Sequence, residues 1–404
     1  MKVHSEDITT GLVLPGGGAR GAFQVGVLKA LSEILPPTCQ NPFPVISGTS
    51  AGAINSVVLA AKSRQYCHAL RELEGVWSDF RCGQVFRDDA LTMLKSSLHW
   101  LGAIVFGGLL VGTPRSLLDN SPLRELLNRN IGFPLIENAI EKEYLRAVAV
   151  TAAGYGSARS TSFFQGAADC HEWSRKRRVG VRQPLTLDHL MASIAVPMIF
   201  PPVRIGGEYF GDGAMRQATP LSPAIHLGAD RILVIGVRDE TADPAPDPSH
   251  PQDFPSFAHI AGYMLDTLFM DGLYSDLERM TRINQLIDSV PAHERDGSLT
   301  QMRPIDTMVV LPSEDLREVA HRHRQEMPRT VRALLRGVGS GNKGENRLVS
   351  FLLFEREYTR ELIQLGYNDA MKVRDELYDF VTGRPVQRLY APEWVRDDLR
   401  RFGD

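Results

Sequence analysis

Gly11-Leu12-Val13-Leu14-Pro15-Gly16-Gly17-Gly18-Ala19-Arg20-Gly21 decides how this chain reads. Gly11 to Leu14 is a short apolar run such as a buried strand presents, and Pro15 with the three glycines ends it in a tight turn. Beyond the turn Ala22, Val25, Leu28 and Leu31 recur at helical spacing. The pattern then repeats. Val45 and Ile46 lead into Ser47-Gly48-Thr49-Ser50-Ala51-Gly52, and residues 53–61 read as a second helix. Further out, strands are expected at 147–151, 162–164, 232–237 and 307–311, with helical stretches between several of them. Strands alternating with helices imply a mostly parallel sheet covered on both faces.

The Gly-rich turn presents backbone N–H groups at the positive end of a helix dipole, where an anion is favoured. Gly16, Gly18 and Gly21 fit the dinucleotide pattern G-x-G-x-x-G. That fingerprint also requires an acidic residue about 20 positions on, and residues 39–46 contain no Asp or Glu. A phosphate-binding P-loop requires Lys and then Ser or Thr after the last glycine, where Ala22 and Phe23 stand. An oxyanion hole requires N–H donors that approach a carbonyl oxygen closely, and a triple glycine permits that. A turn used for packing alone is the remaining reading, so the presence of a nucleophile nearby decides.

Gly48-Thr49-Ser50-Ala51-Gly52 matches G-x-S-x-G between a strand and a helix, the context that motif requires. In a parallel sheet both Gly-rich turns sit at carboxyl ends of strands, on the edge where such sheets place their sites. A serine hydroxyl needs a base, and most hydrolases with this motif use histidine. His226 falls in residues 220–228, which read as a helix ending in glycine. His250 lies in a proline-rich loop, and His259 follows no convincing strand. Asp212, between Gly211 and Gly213 at the end of a short strand from Glu208, could approach a serine closely. Asp-Gly is equally a common hairpin turn, and spacing alone does not separate the two.

Together these elements resemble the patatin-like phospholipase family, in order along the chain. The resemblance rests on Gly16 to Gly21, on Gly48 to Gly52, on Asp212-Gly213-Ala214, and on Ala192-Ser193-Ile194-Ala195-Val196-Pro197 with Phe200-Pro201-Pro202. It covers residues 9–238, with a weaker echo at 307–311 and at Leu365-Gly366-Tyr367. It implies a three-layer α/β/α fold with a mostly parallel central sheet and a helical C-terminal extension. The implied catalytic domain spans residues 1–312, with a Pro/Asp-rich loop at 239–255, and residues 313–404 form the helical C-terminal region.

The resemblance also implies a Ser-Asp dyad without histidine and hydrolysis of lipid acyl esters. By it, Ser50 forms an acyl-enzyme, and Asp212 takes its proton and later activates water. Gly16, Gly17, Gly18, Arg20 and Gly21 make the oxyanion loop, with N–H groups around Gly17 and Gly18 as donors and Arg20 as support. Gly48, Thr49, Ala51 and Gly52 shape the nucleophile elbow, and Gly213 and Ala214 the turn of the acid. No metal or cofactor is expected. The partner is a lipid at a membrane or micelle surface. A thioesterase or transacylase of the same chemistry and a non-catalytic lipid-binding protein are the alternatives.

Composition sets outer limits. With 404 residues, 43% hydrophobic and 23% charged, the chain is an ordinary globular one. A net charge of -3 gives no electrostatic reason to expect nucleic acid. Four cysteines without zinc spacing read as reduced packing thiols. Glu6 and Asp7 interrupt the place of a signal peptide. The apolar run at 100–111, broken by Gly102, Gly107 and Gly108, is shorter than the about 20 residues a bilayer needs. A cytoplasmic protein is expected, with peripheral membrane contact open. That run reads either as a buried segment or as the lining of an acyl groove or membrane dip. Arg175-Lys176-Arg177-Arg178 beside Trp173 reads as a solvated loop or as a contact for lipid phosphates. Residues 317–335 and 347–380 read as charged helices.

Overall fold

A computed structural model describes residues 8–37, 40–89, 116–239, 254–291, 303–337 and 345–384. The apolar run at 100–111, His250, Cys39 and most of the Pro/Asp-rich loop lie outside the described residues. Among those described, ten strands make one sheet. They are β1 (Thr10–Leu14), β2 (Val45–Thr49), β3 (Ala147–Gly154), β4 (Ser160–Gly166), β5 (Trp173–Arg175), β6 (Arg178–Arg182), β7 (Val203–Ile205), β8 (Glu208–Asp212), β9 (Arg231–Ile235) and β10 (Asp306–Val310). The path across the sheet runs β10-β9-β1-β2-β3-β4-β6-β5. From β10 to β3 every pairing is parallel. β4 opposes β3 and begins a mixed edge. Helices cover both faces, so the architecture is the α/β/α arrangement expected. β1, β2 and β3 are buried at every residue, which is why they read as continuous apolar runs rather than alternating ones.

The register of β3 sets up the site. β2 pairs with β3 up to Thr49 opposite Thr151. At the next residue, Ala152, the pairing passes to Asp212 of β8, which runs antiparallel. β4 already occupies the far side of β3 through Ala153, so β8 continues the line of β2. The carboxyl ends of β2 and β8 therefore meet on one side of β3, with Ser50 just past one end and Asp212 at the other.

Two helices follow the Gly-rich turns, α1 (Gly21–Ile34) and α2 (Ala51–Ala61). The segment read as a helix at 220–228 forms one at Ser222–His226, and Gly228 closes it at φ 101°. In the C-terminal region the Arg356–Lys372 helix lies along α1. A Cβ on Gly26 would stand 2.0 Å from the Ile363 carbonyl oxygen, and one on Gly366 2.2 Å from that of Phe23. Only glycine lets two helix backbones approach so closely. One buried apolar cluster runs from Leu12 to Val381.

Three expectations need correction. The basic run is solvated but is not an irregular loop: Trp173–Arg175 and Arg178–Arg182 form an antiparallel hairpin at the sheet edge, with exposed Arg175, Lys176 and Arg177 at its tip. It is anchored by Trp173, whose ring stacks between Phe164 and His226 at 5.3 and 4.7 Å. Residues 317–335 are not one helix: Leu316–His323 ends before Pro328, and Arg329–Gly337 starts after it, because proline cannot continue a helix interior. Residues 347–380 likewise divide into Glu345–Leu352, Arg356–Lys372 and Arg374–Val381. The long helix Phe257–Ser289 had no specific sequence reading.

Candidate active site

Ser50 sits at the sharp turn between β2 and α2 with φ 54° and ψ -129°. That region is strained for a residue with a Cβ. Small neighbours make the turn possible. A Cβ on Gly48 would meet the Gly52 carbonyl oxygen at 2.4 Å, and one on Gly52 would meet that of Leu14 at 2.0 Å. The Ser50 N–H donates to Ser193 Oγ at 2.9 Å, and Ser193 Oγ donates to the Thr151 carbonyl at 2.7 Å. One buried hydroxyl thus ties the strained turn to β3. The amino end of α2 lies at Ser50, and its dipole favours negative charge there.

Asp212 faces this turn and is only 2% exposed. Its backbone N–H donates to the Ala195 carbonyl at 2.8 Å, and its Oδ1 accepts from the Ala214 N–H at 2.9 Å. Oδ2 has no completed hydrogen bond. Burial pushes the carboxyl up to about 7, while the Ser50 hydroxyl and the Ala214 N–H pull the other way. Ser50 is therefore within electrostatic reach of Asp212, although the pair lacks full hydrogen-bond geometry. Such contacts tighten when substrate binds.

The Gly-rich loop lies against the same serine. A Cβ on Gly16 would stand 2.9 Å from that of Ser50, and one on Gly21 3.1 Å from that of Ala51. Gly18 takes φ 55°, and a Cβ there would strike the Phe351 carbonyl oxygen at 2.4 Å, so that position admits only glycine. Arg20 does not point at Ser50. Its guanidinium, 1% exposed, pairs with Asp266 at 3.0 Å, donates to Ser350 Oγ at 2.6 and 3.0 Å, and lies 3.9 Å over the Phe351 ring. It ties the loop to the long helix and to the Glu345–Leu352 helix.

Ser50 lines an apolar cavity of about 400 Å³, together with Ile54, Trp77, Leu127, Phe200, Phe269 and Phe354 among others. Its size lies in the range of small-molecule sites. No histidine lines it among the described residues. His226 is stacked on Trp173, and burial, then Arg175 and Arg178, pull it down to about 4.

The site residues expected from sequence come together: Ser50 and its elbow, Asp212 with Gly213 and Ala214, and the Gly16–Gly21 loop. A Cβ on Gly213 would strike the Thr151 carbonyl oxygen at 2.2 Å, which fixes glycine beside the acid. Two residues escaped the sequence reading. Gln217 binds Thr49 Oγ1 and donates to Thr151 Oγ1 at 3.4 Å. Ser193 lies in the Ala192–Pro197 segment, but nothing local in that segment shows that its hydroxyl reaches Ser50. Ser193→Ala should leave the Ser50 N–H and the Thr151 carbonyl unpaired, at about 1–3 kcal/mol for such a buried loss. The melting temperature and kcat should both fall; an unchanged kcat in the folded variant would deny the hydroxyl any part in holding the turn.

A hydroxyl, a carboxyl and an apolar cavity meeting at one sheet edge make up the class of site that α/β acyl hydrolases carry. The sequence matches the family model described as patatin-like phospholipase over residues 12–225. That is more than half of the chain, which belongs to this family. A 52-residue stretch is 52% identical to Lysophospholipase nte1 of Aspergillus terreus, covering 13% of this chain and 3% of that protein. A 55-residue stretch is 51% identical to patatin-like phospholipase domain-containing protein 7 of Rattus norvegicus and of Mus musculus, covering 14% of this chain and 4% of each. The matches thus span a small fraction of those relatives' length. The crystal structure of VipD from Legionella pneumophila aligns over 91% of this chain and 67% of that one, at 14% identity and a TM-score of 0.33. Among the described residues no helix is long and apolar enough to cross a membrane.

Proposed function

We propose that the chain hydrolyses carboxylic esters of lipids, phospholipids or lysophospholipids, with Ser50 as nucleophile and Asp212 as its base. The reading is carried by the buried Asp212 carboxyl, pushed up to about 7 beside Ser50, which itself lines an apolar cavity. A base poised near neutrality is matched to taking a hydroxyl proton there.

In the reaction the acyl chain lies in the cavity. Ser50 Oγ attacks the carbonyl carbon and its proton passes to Asp212. Negative charge develops on the carbonyl oxygen, where the N–H groups of Gly17 and Gly18 and the α2 dipole stabilise it. The ester C–O bond breaks, and the departing alcohol takes the proton from Asp212. Water then attacks the acyl-Ser50 ester, giving its proton to Asp212, and the carboxylic acid leaves as Ser50 recovers a proton.

A fluorophosphonate probe tests this directly. It should label Ser50 in the wild type, and p-nitrophenyl butyrate turnover should fall in step with labelling. Turnover that survives Ser50→Ala, or a folded wild type that cleaves no ester, would sink the proposal and leave a lipid-binding protein.

A further inference from the structure

A second cavity lies beyond the turn that carries Asp212. It encloses about 550 Å³, and its wall bears Arg175, Lys176, Arg177, Arg178 and Arg216. Four of these cations come from the β5–β6 hairpin, in which Arg175 stands opposite Arg178. Like charges facing each other across a ladder are destabilising, so the hairpin holds a charge density that its own fold does not need.

Within the described residues no carboxylate pairs with Arg175, Lys176, Arg177 or Arg216. Arg175 Nη1 reaches only the Ser174 carbonyl, at 3.1 Å, and Arg178 binds Thr219 Oγ1. Asp276 on the long helix is within electrostatic reach of Arg178 and has two further partners. It accepts from the Leu221 N–H at 3.0 Å and lies 3.7 Å from Arg279. Burial first, and then Arg175 and Arg178, hold His226 under the hairpin below the usual imidazole range.

The cavity adjoins the reacting groups. Ala214 and Gln217 are part of its wall. Ala214 donates to Asp212, and Gln217 binds the threonine that precedes Ser50. Residues 214–217 thus form part of the wall of the cation-lined cavity, and through Ala214 and Gln217 they touch the Asp212 carboxyl and the residue before Ser50. Guanidinium groups take phosphate oxygens through paired, charge-assisted hydrogen bonds. We propose that this cavity is an anion subsite for the phosphate headgroup of the lipid whose acyl ester lies at Ser50. The link to the ester rests on the hydrolase reading; the affinity for phosphate does not.

The test uses R175Q/K176Q/R177Q, whose altered side chains are exposed and lie outside the reacting groups, with an unchanged melting temperature as its control. Glycerol 3-phosphate titrated calorimetrically should bind the wild type. Binding should weaken at least roughly tenfold in the variant, the scale of one charge-assisted hydrogen bond. Equal binding by both proteins, or none by the wild type, overturns the subsite whatever esters are cleaved. With dihexanoylphosphatidylglycerol below its micelle concentration, KM should rise about tenfold in the variant by the same contact, while p-nitrophenyl butyrate turnover stays unchanged. A defect confined to vesicles would assign the cations to a membrane surface and overturn the headgroup role. Intact glycerol 3-phosphate binding with no cleavage of either ester would fail the hydrolase reading alone.

Discussion

Asp212→Asn is expected to slow ester cleavage at least about a hundredfold and to raise the melting temperature at alkaline pH. Asparagine keeps the acceptor for the Ala214 N–H, which is 2.9 Å from Oδ1, but it cannot take a proton from Ser50. Loss of a positioned base lowers the rate by roughly a hundred- to ten-thousandfold. The stability effect follows from the carboxyl's shift, from an ordinary 3.8 up to about 7 on burial. The folded state holds this proton more tightly than the unfolded state does. The group's favourable contribution is therefore complete below 3.8 and is lost as pH rises through about 7. Above that, an ionised carboxyl sits buried, with a penalty on the order of a few kcal/mol. The variant removes the penalty, so its melting temperature should match the wild type near pH 4 and exceed it at pH 8. In the wild type kcat/KM should climb as pH rises towards about 7 and then level. Equal melting temperatures at both pH values, or a rate flat across neutrality, would show that the carboxyl is not held up in this way.

Arg20→Ala should be the most destabilising single change at the site. It leaves Asp266, 2% exposed, with Arg347 at 3.6 Å as its remaining ion-pair partner. Breaking a buried pair from one side costs about 3–5 kcal/mol, and Arg347 moderates that figure. Arg20→Lys keeps the charge but not the fork that reaches Asp266 and Ser350 together, so it should recover only part of the stability. The activity signature separates anchoring from bulk stability. With the Gly16–Gly21 loop loosened, kcat should fall at a temperature where the variant is folded, and KM should hold. The pair Arg20→Met with Asp266→Leu should regain stability without regaining kcat. Wild-type melting in Arg20→Ala would refute the anchor.

Much of the sheet was legible because its inner strands are buried on both faces and read as unbroken apolar runs, as at Leu12 to Leu14 and Ile232 to Ile235. The site was legible where close packing admits only glycine, as at Gly18, Gly52 and Gly213. Partners far apart in sequence were not. Nothing local to Arg20 announces Ser350, 330 residues away, and nothing local to Ser50 announces Ser193. The β5–β6 hairpin was hidden by its charge, since exposed cations on an edge strand look like those of a loop. The break at Pro328 was visible in principle, because the expected helix ran through a proline. The long helix carrying Asp266 and Phe269 lacked a specific reading, although two residues that pack on the Gly-rich loop belong to it.

The meeting of β2 and β8 along β3 turns one strand into a ruler. Thr151 and Ala152 are consecutive, and they bind the two ends that carry Ser50 and Asp212. The interval between hydroxyl and carboxyl is graduated in strand rises of about 3.3 Å, not in loop lengths. The hairpin connection at 155–159 can lengthen without disturbing it, whereas 183–202 carries Ser193 and Ala195, which hold the backbone N–H groups of Ser50 and Asp212. One residue added between Thr151 and Ala152 would displace the two by a full graduation and send the following side chains to the opposite face.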